Sequence, residues 1–257
     1  MKKILLTAAA VLLTLCIFCA CGNPQNAPAA TGDSAALTEP TAAPVVDTEP
    51  EVTENNTPAD SVDTAYAQQI ERYYTAVSEQ WNEGAYFENE MSALASYYYE
   101  GNALDNVGYA LMDLNGDESD ELVIGAILGA DKDPIVFEIW TLKDGEPVML
   151  AQSGSRNRYY LQYAEDDAMW SVAYEAENGA ANYAVYYLRI EDGEFEVNQG
   201  IVFDAVASEN APWFMAYDLD WDVSNDTPTD ENTANDVMNA GRNIYVGAEY
   251  TPYSQYK

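Results

Sequence analysis

"NYAVYYLRIEDGEFEVNQGIVFDA", residues 182–205, decides the fold. Ala184, Tyr186, Leu188 and Ile190 fall on one side of an extended chain, and Tyr183, Val185, Tyr187 and Arg189 on the other. A period of two belongs to a strand. Asp192-Gly193 interrupts it with two residues that tolerate positive φ, a two-residue hairpin signal. The stretch therefore predicts two antiparallel strands, 182–191 and 194–205.

The same grammar extends toward the N-terminus. Strands are predicted over 107–112, 121–128, 134–142, 147–152, 157–164 and 168–175, with turns at Asp144-Gly145, Asp166-Asp167 and Asn178-Gly179. Such close spacing leaves no room for crossover helices, so the sheet is expected to be antiparallel. Before it, Asp63 or Thr64 can cap a helix with apolar positions Ile70, Tyr73, Tyr74, Val77 and Trp81, which Gly84 can end. Met91, Leu94, Ala95 and Tyr98 suggest a second, shorter helix. After residue 208 the pattern loosens, and Thr229–Asn243 predicts a final helix around Val237, Ala240 and Ile244, with Gly241 weakening it. The expected class is α+β: N-terminal helices on a mainly antiparallel sheet of about 7–8 strands, with a C-terminal helix.

Charge excludes whole classes of partner. The 44 acids outnumber 10 bases, a net charge of −34. Such a field repels nucleic-acid phosphate. The chain also lacks the Lys/Arg cluster that holds proteins on anionic lipid. It contains no histidine, which removes His-based triads, His metal ligands and His pH switches.

Contact with membrane is expected from the N-terminus. Lys2 and Lys3 precede an uncharged apolar run, Ile4 to Ala20, which has the pattern of a signal peptide over residues 1–20. The stretch "IFCACGN" resembles the lipobox of bacterial, Gram-positive-type surface lipoproteins: Ala20 is the small residue before the cysteine, and Gly22 and Asn23 suit the positions after it. The resemblance implies cleavage before Cys21, diacylglycerol on its sulfur, and a protein anchored on the extracytoplasmic face of the membrane. Two acyl chains hold stably where one is marginal. Cys16 and Cys19 leave with the signal, so the mature chain has no free thiol for a disulfide, zinc or nucleophile. Residues 21–62 are then a lipidated cysteine and an acidic tether. The 22–63 stretch holds six of the 11 prolines and eight acids without Lys or Arg, a composition that cannot build a core. Residues 63–257 are expected to form one α+β domain.

"MDLNGDESDELVIG", residues 112–125, places five acids within nine positions beside an apolar strand. Counted from Asp113, the oxygen-bearing residues Asp113, Asn115, Asp117, Ser119 and Glu121 stand at every second position. On a curled loop such groups converge, and Ca²⁺ takes six to eight hard oxygens. Gly116 permits the curl. Ile124 stands where an EF-hand needs its bidentate Glu, and Glu118 where it needs Gly. The pattern D-x-N-x-D-x-x-x-E between strands resembles the short calcium loops of FG-GAP and integrin-type repeats, and a recurrent hairpin of Gram-positive surface lipoproteins. By that resemblance Asp113, Asn115, Asp117 and Glu121 are side-chain ligands of Ca²⁺, and Ser119 offers its carbonyl. The alternative is an acidic hairpin turn without metal. In "DLDWDVSND", Asp218, Asp220, Asp222, Ser224 and Asp226 repeat the spacing, but Trp221 replaces the glycine and Pro228 follows where a strand should start. This second run is the weaker metal candidate, set against a solvated loop.

Carboxylate pairs could hydrolyse glycosides, yet 44 acids guarantee such pairs by chance. The 20 tyrosines suit half-buried strands, or an aromatic platform for glycan or peptide. The expected function is a lipid-anchored binding or scaffold module, stiffened by Ca²⁺, for a glycan, cell-wall or protein ligand. A carboxylate-dependent cell-wall or polysaccharide hydrolase is the alternative. A transporter's solute-binding lipoprotein fits less well, since the alternating strand–helix pattern is missing.

Overall fold

A computed structural model describes residues 65–127, 134–164, 169–179, 181–208 and 210–256. These residues fall within one compact unit, Glu54–Lys257. The expected signal peptide, lipidated Cys21 and tether, the expected caps at Asp63 and Thr64, and the expected Asp166-Asp167 turn lie outside the described residues.

The order is α1 (Ala67–Ser78), α2 (Glu83–Glu88), a 3-10 turn (Ala93–Tyr98), α3 (Ala103–Asn106), then β1 (Val107–Met112), β2 (Glu121–Ala126), β3 (Ile135–Lys143), β4 (Glu146–Gln152), β5 (Asn157–Ala164), β6 (Met169–Glu177), β7 (Asn182–Glu191), β8 (Glu194–Asp204), β9 (Trp213–Ala216) and β10 (Thr227–Thr229). Helix α4 (Glu231–Arg242), β11 (Tyr245–Val246), β12 (Thr251–Pro252) and a 3-10 turn (Tyr253–Gln255) complete it. One sheet of 12 strands runs β10-β9-β8-β7-β6-β5-β3-β2-β1-β12, while β4 pairs with β3 and β11 with β5. Each of these pairings is antiparallel. The class is α+β and mostly antiparallel sheet, as the strand grammar predicts. The strand number is corrected upward: β9 to β12 have only two to four residues each, too few to show a period.

Both faces of the sheet are covered, as a layered fold requires. On one face, Ile70, Tyr73 and Val77 of α1 pack on Leu122, Ile124 and Phe137. Full burial of each such side chain contributes roughly 1.5–3 kcal/mol. Farther along that face, Ala234 and Met238 of α4 cover Tyr160, Val185 and Ile201. On the opposite face, Ala184, Tyr186, Leu188 and Ile190 join Val123, Leu161 and Val172, the sidedness expected of β7. Phe137 is the extra residue of a bulge, because Ile124 faces Glu138 and Gly125 faces Val136. A bulge turns two successive side chains to one side. Glu138 consequently joins the helix side, fully buried, accepting from Ser92 N and Trp140 Nε1.

Three helical expectations are corrected. The first helix ends at Ser78, not at Gly84, because the chain turns through Gln80 at φ 51°; Gly84 belongs to α2, which the Asn82 side chain caps. The second helix is a 3-10 turn. In α4 the buried stripe is Ala234 and Met238; Val237 is half-buried, while Ala240 and Ile244 are exposed. Gly241 allows close docking there: a Cβ would fall on the Tyr187 ring, whose hydroxyl donates to Val237 O at 3.2 Å.

Candidate functional site

The 113–121 loop closes the β1–β2 hairpin, whose last pair is Met112 with Glu121. Eight residues, 113–120, must reverse direction there, and two left-handed residues, Gly116 (φ 80°) and Glu118 (φ 70°), let them. Gly adopts that conformation freely; Glu does so at a cost of roughly 1–2 kcal/mol. Asp113 winds the loop around itself. Its Oδ1 accepts from the backbone N–H of Gly116 (2.6 Å) and Asp117 (3.2 Å), and its Oδ2 from that of Glu118 (3.1 Å). Asn115 Nδ2 donates to Asp117 Oδ2 at 2.9 Å, and Asp117 Oδ1 accepts from Ser119 N at 2.7 Å.

Glu121 has a different setting. It is 1% exposed, with Oε2 accepting from Leu114 N (2.9 Å) and Oε1 from the Thr141 hydroxyl on β3 (2.9 Å). Burial, and then the charges of Asp117 and Asp113, push its carboxyl above the usual Glu range; its two hydrogen bonds pull the other way. The fold thus brings Asp113, Asn115 and Asp117 into one knot of hydrogen bonds, adds the Ser119 N–H, and sets Glu121 beneath it as a lock to the sheet. Two carboxylates and an amide oxygen are hard donors of the kind Ca²⁺ takes. Among the described residues, no three His, Cys, Asp or Glu side chains are grouped as a metal site.

The second acidic run is tied to the opposite sheet face. Tyr186 donates its hydroxyl to Asp220 O at 2.8 Å, and Trp221 and Val223 pack on the core of that face. Asp220 Oδ1 accepts from Asp222 N, and Asp222 Oδ1 from Ser224 N. Asp226 feels burial and the charges of Asp218, Asp220 and Asp222, which push its carboxyl up to about 6. Apolar anchoring by Trp221, at the position where a calcium loop has glycine, gives this run a packing role.

A cleft that the sequence did not disclose lies beside the first loop. About 520 Å³ opens between β5–β8 and α4, lined by Trp170, Arg189, Gln199, Asp236 and Val237 among others. A second cleft of about 390 Å³ shares Met169, Trp170 and Arg189 with it and has Asn115 and Asp117 in its wall. Met169 is 43% exposed, and Trp170 is half-buried against Tyr163, with ring centroids 4.9 Å apart. These residues come from separate elements, so no local pattern marks them. Seven of the 20 tyrosines are core and most of the others are half-buried against the sheet: Tyr159 stacks on Tyr174 at 4.5 Å, and Tyr160 on Tyr245 at 4.5 Å. Among the described residues no helix is long and apolar enough to cross a membrane. Comparison of the chain with protein-family models, with curated proteins and with solved structures finds no match.

Proposed function

We propose that the chain is a lipid-anchored, extracytoplasmic binding module for cell-wall or other glycan, with Ca²⁺ stiffening the 113–121 loop. Cys21 would carry the anchor, and the acidic 21–62 segment would hold the domain off the membrane. One observation carries the binding reading: the two clefts meet at Trp170 and Arg189, and Asn115 and Asp117 of the loop line the smaller one. A half-buried indole, amides and a guanidinium around an open cleft are what a sugar ring needs, an apolar face to rest on and fixed donors and acceptors around it. Ca²⁺ held by Asp113, Asn115 and Asp117 would offset their mutual repulsion and steady that wall.

The test uses the full chain in detergent. Retention on cell-wall glycan should be higher in calcium than in chelator, and at least tenfold lower for Trp170→Ala. A thermal melt should show a calcium-specific rise that magnesium does not give and Asp117→Ala abolishes. At millimolar calcium and a Kd of about 0.1–1 mM the gain is about 0.4–1.4 kcal/mol. Equal melts in calcium and chelator refute the metal; equal retention by Trp170→Ala refutes the cleft. The hydrolase reading draws on Asp226, whose carboxyl at about 6 could hold a proton near neutral pH. New reducing ends that vanish with Asp226→Asn would favour it over binding.

A further inference from the structure

The chain is strongly acidic, yet three of its five arginines, Arg156, Arg158 and Arg242, line a single cleft of about 510 Å³ on the α4 face of the sheet. From this clustering we infer a second binding site, for the anionic group of a small ligand, a carboxylate or a phosphate.

The argument starts from register. Arg158 on β5 pairs directly with Glu175 on β6. Opposite charges at such positions have Cβ atoms about 4.5–5.5 Å apart and ordinarily pair with each other. Here Glu175 is drawn elsewhere. Its Oε1 accepts from Arg242 Nε on α4 at 2.8 Å and from the Tyr245 hydroxyl at 2.8 Å. The glutamate thus ties the end of α4 to the sheet, and Arg158 is left with the carbonyl of its own neighbour Asn157, at 3.3 Å. Arg156 stands two residues earlier, in the bend that leads into β5, and lines the same cleft. Its backbone carbonyl accepts from Glu177 N at 2.9 Å, while its guanidinium forms no ion pair among the described residues. The cleft therefore holds three guanidinium groups against the two carboxylates of Glu175 and Glu177, one of them already engaged.

Guanidinium forks match planar carboxylates and phosphates in two parallel hydrogen bonds. Two forks facing one cavity, with the half-buried Tyr183 beside them, suit a compact anion and not a polyanion, which the field of the whole molecule repels. The site is separate from the Trp170 cleft and stands whether or not that cleft binds glycan.

The test is titration of the full chain in detergent with inorganic phosphate and, separately, succinate, followed by thermal shift and calorimetry. Sodium chloride at matched ionic strength is the control. We expect saturable binding by at least one anion, weakened at least tenfold in Arg156→Gln/Arg158→Gln and at least threefold in Arg156→Gln alone. The single variant alters an exposed side chain and keeps the test valid if the double variant folds poorly. Preference between the two anions assigns the ligand class. A shift that sodium chloride reproduces, or one unchanged in Arg156→Gln, overturns the site.

Discussion

Removing the lock under the acidic loop has two separable outcomes. Glu121→Ala leaves Leu114 N–H and the Thr141 hydroxyl without an acceptor, both in residues under 5% exposed. Each hydrogen bond to a charged acceptor contributes about 1.5–3 kcal/mol, while loss of a desolvated charge beside Asp113 and Asp117 gives part of that back, so the net cost is about 2–4 kcal/mol. Glu121→Gln has the same shape: its carbonyl can accept from Leu114 N and its amide can donate to Thr141 Oγ1, so its cost stays within ~1 kcal/mol. Urea unfolding in chelator measures both, with an unchanged m-value showing that the exposed area is the same. Because the folded carboxyl titrates above its unfolded range, its contribution is complete below the unfolded value near 4 and is lost as pH rises through the folded value. Wild type should therefore lose ground to Glu121→Gln as pH rises from about 4 toward neutrality. Glu121→Ala within 1 kcal/mol of wild type, or Glu121→Gln as unstable as Glu121→Ala, would refute the lock. A calcium-dependent rise in melting temperature that survives Glu121→Gln would assign Glu121 to the lock and not to the ion.

Three further outcomes follow from single positions. Gly241→Ala should destabilise by about 1–3 kcal/mol despite alanine's helix propensity, because its Cβ meets the Tyr187 ring; urea unfolding checks it. Glu118→Gly should stabilise the chelated protein by about 0.5–1 kcal/mol, since glycine accepts φ 70° without the steric cost of a Cβ. Asp226, raised to about 6, contributes stability that is full below about 4 and lost as pH climbs to 6, so Asp226→Asn should flatten that part of the melting profile. Its partial exposure to solvent limits the effect to about 1 kcal/mol or less.

Strand β7 was legible because one of its faces is buried at four alternate positions, Ala184, Tyr186, Leu188 and Ile190. The β7 alternation and the Asp144-Gly145 and Asp192-Gly193 turns, with φ of 56° and 84°, and 50° and 72°, stand where the pattern puts them. Helix ends were less legible. Gln80 turns the chain although glutamine carries no turn signal, and Ala234 and Met238 became the buried stripe of α4 because the sheet beneath it sets the angle of docking. The acidic loop was legible as a tight turn of oxygen donors, but its spacing treats Glu121 as one more donor, whereas Thr141, 20 residues away, helps hold it in the core.

By itself the sequence determined what depends on neighbours along the chain: alternating strands, hairpin turns, an extreme negative field, and an N-terminal stretch that resembles a lipobox followed by an acidic, proline-rich segment. The tertiary structure alone decided what depends on register between distant strands and on where α4 docks. Which carboxylate Arg158 faces, which of them Arg242 takes away, and which cleft Trp170 opens onto are set by packing free energies summed over the whole sheet. No residue's local neighbours encode that sum.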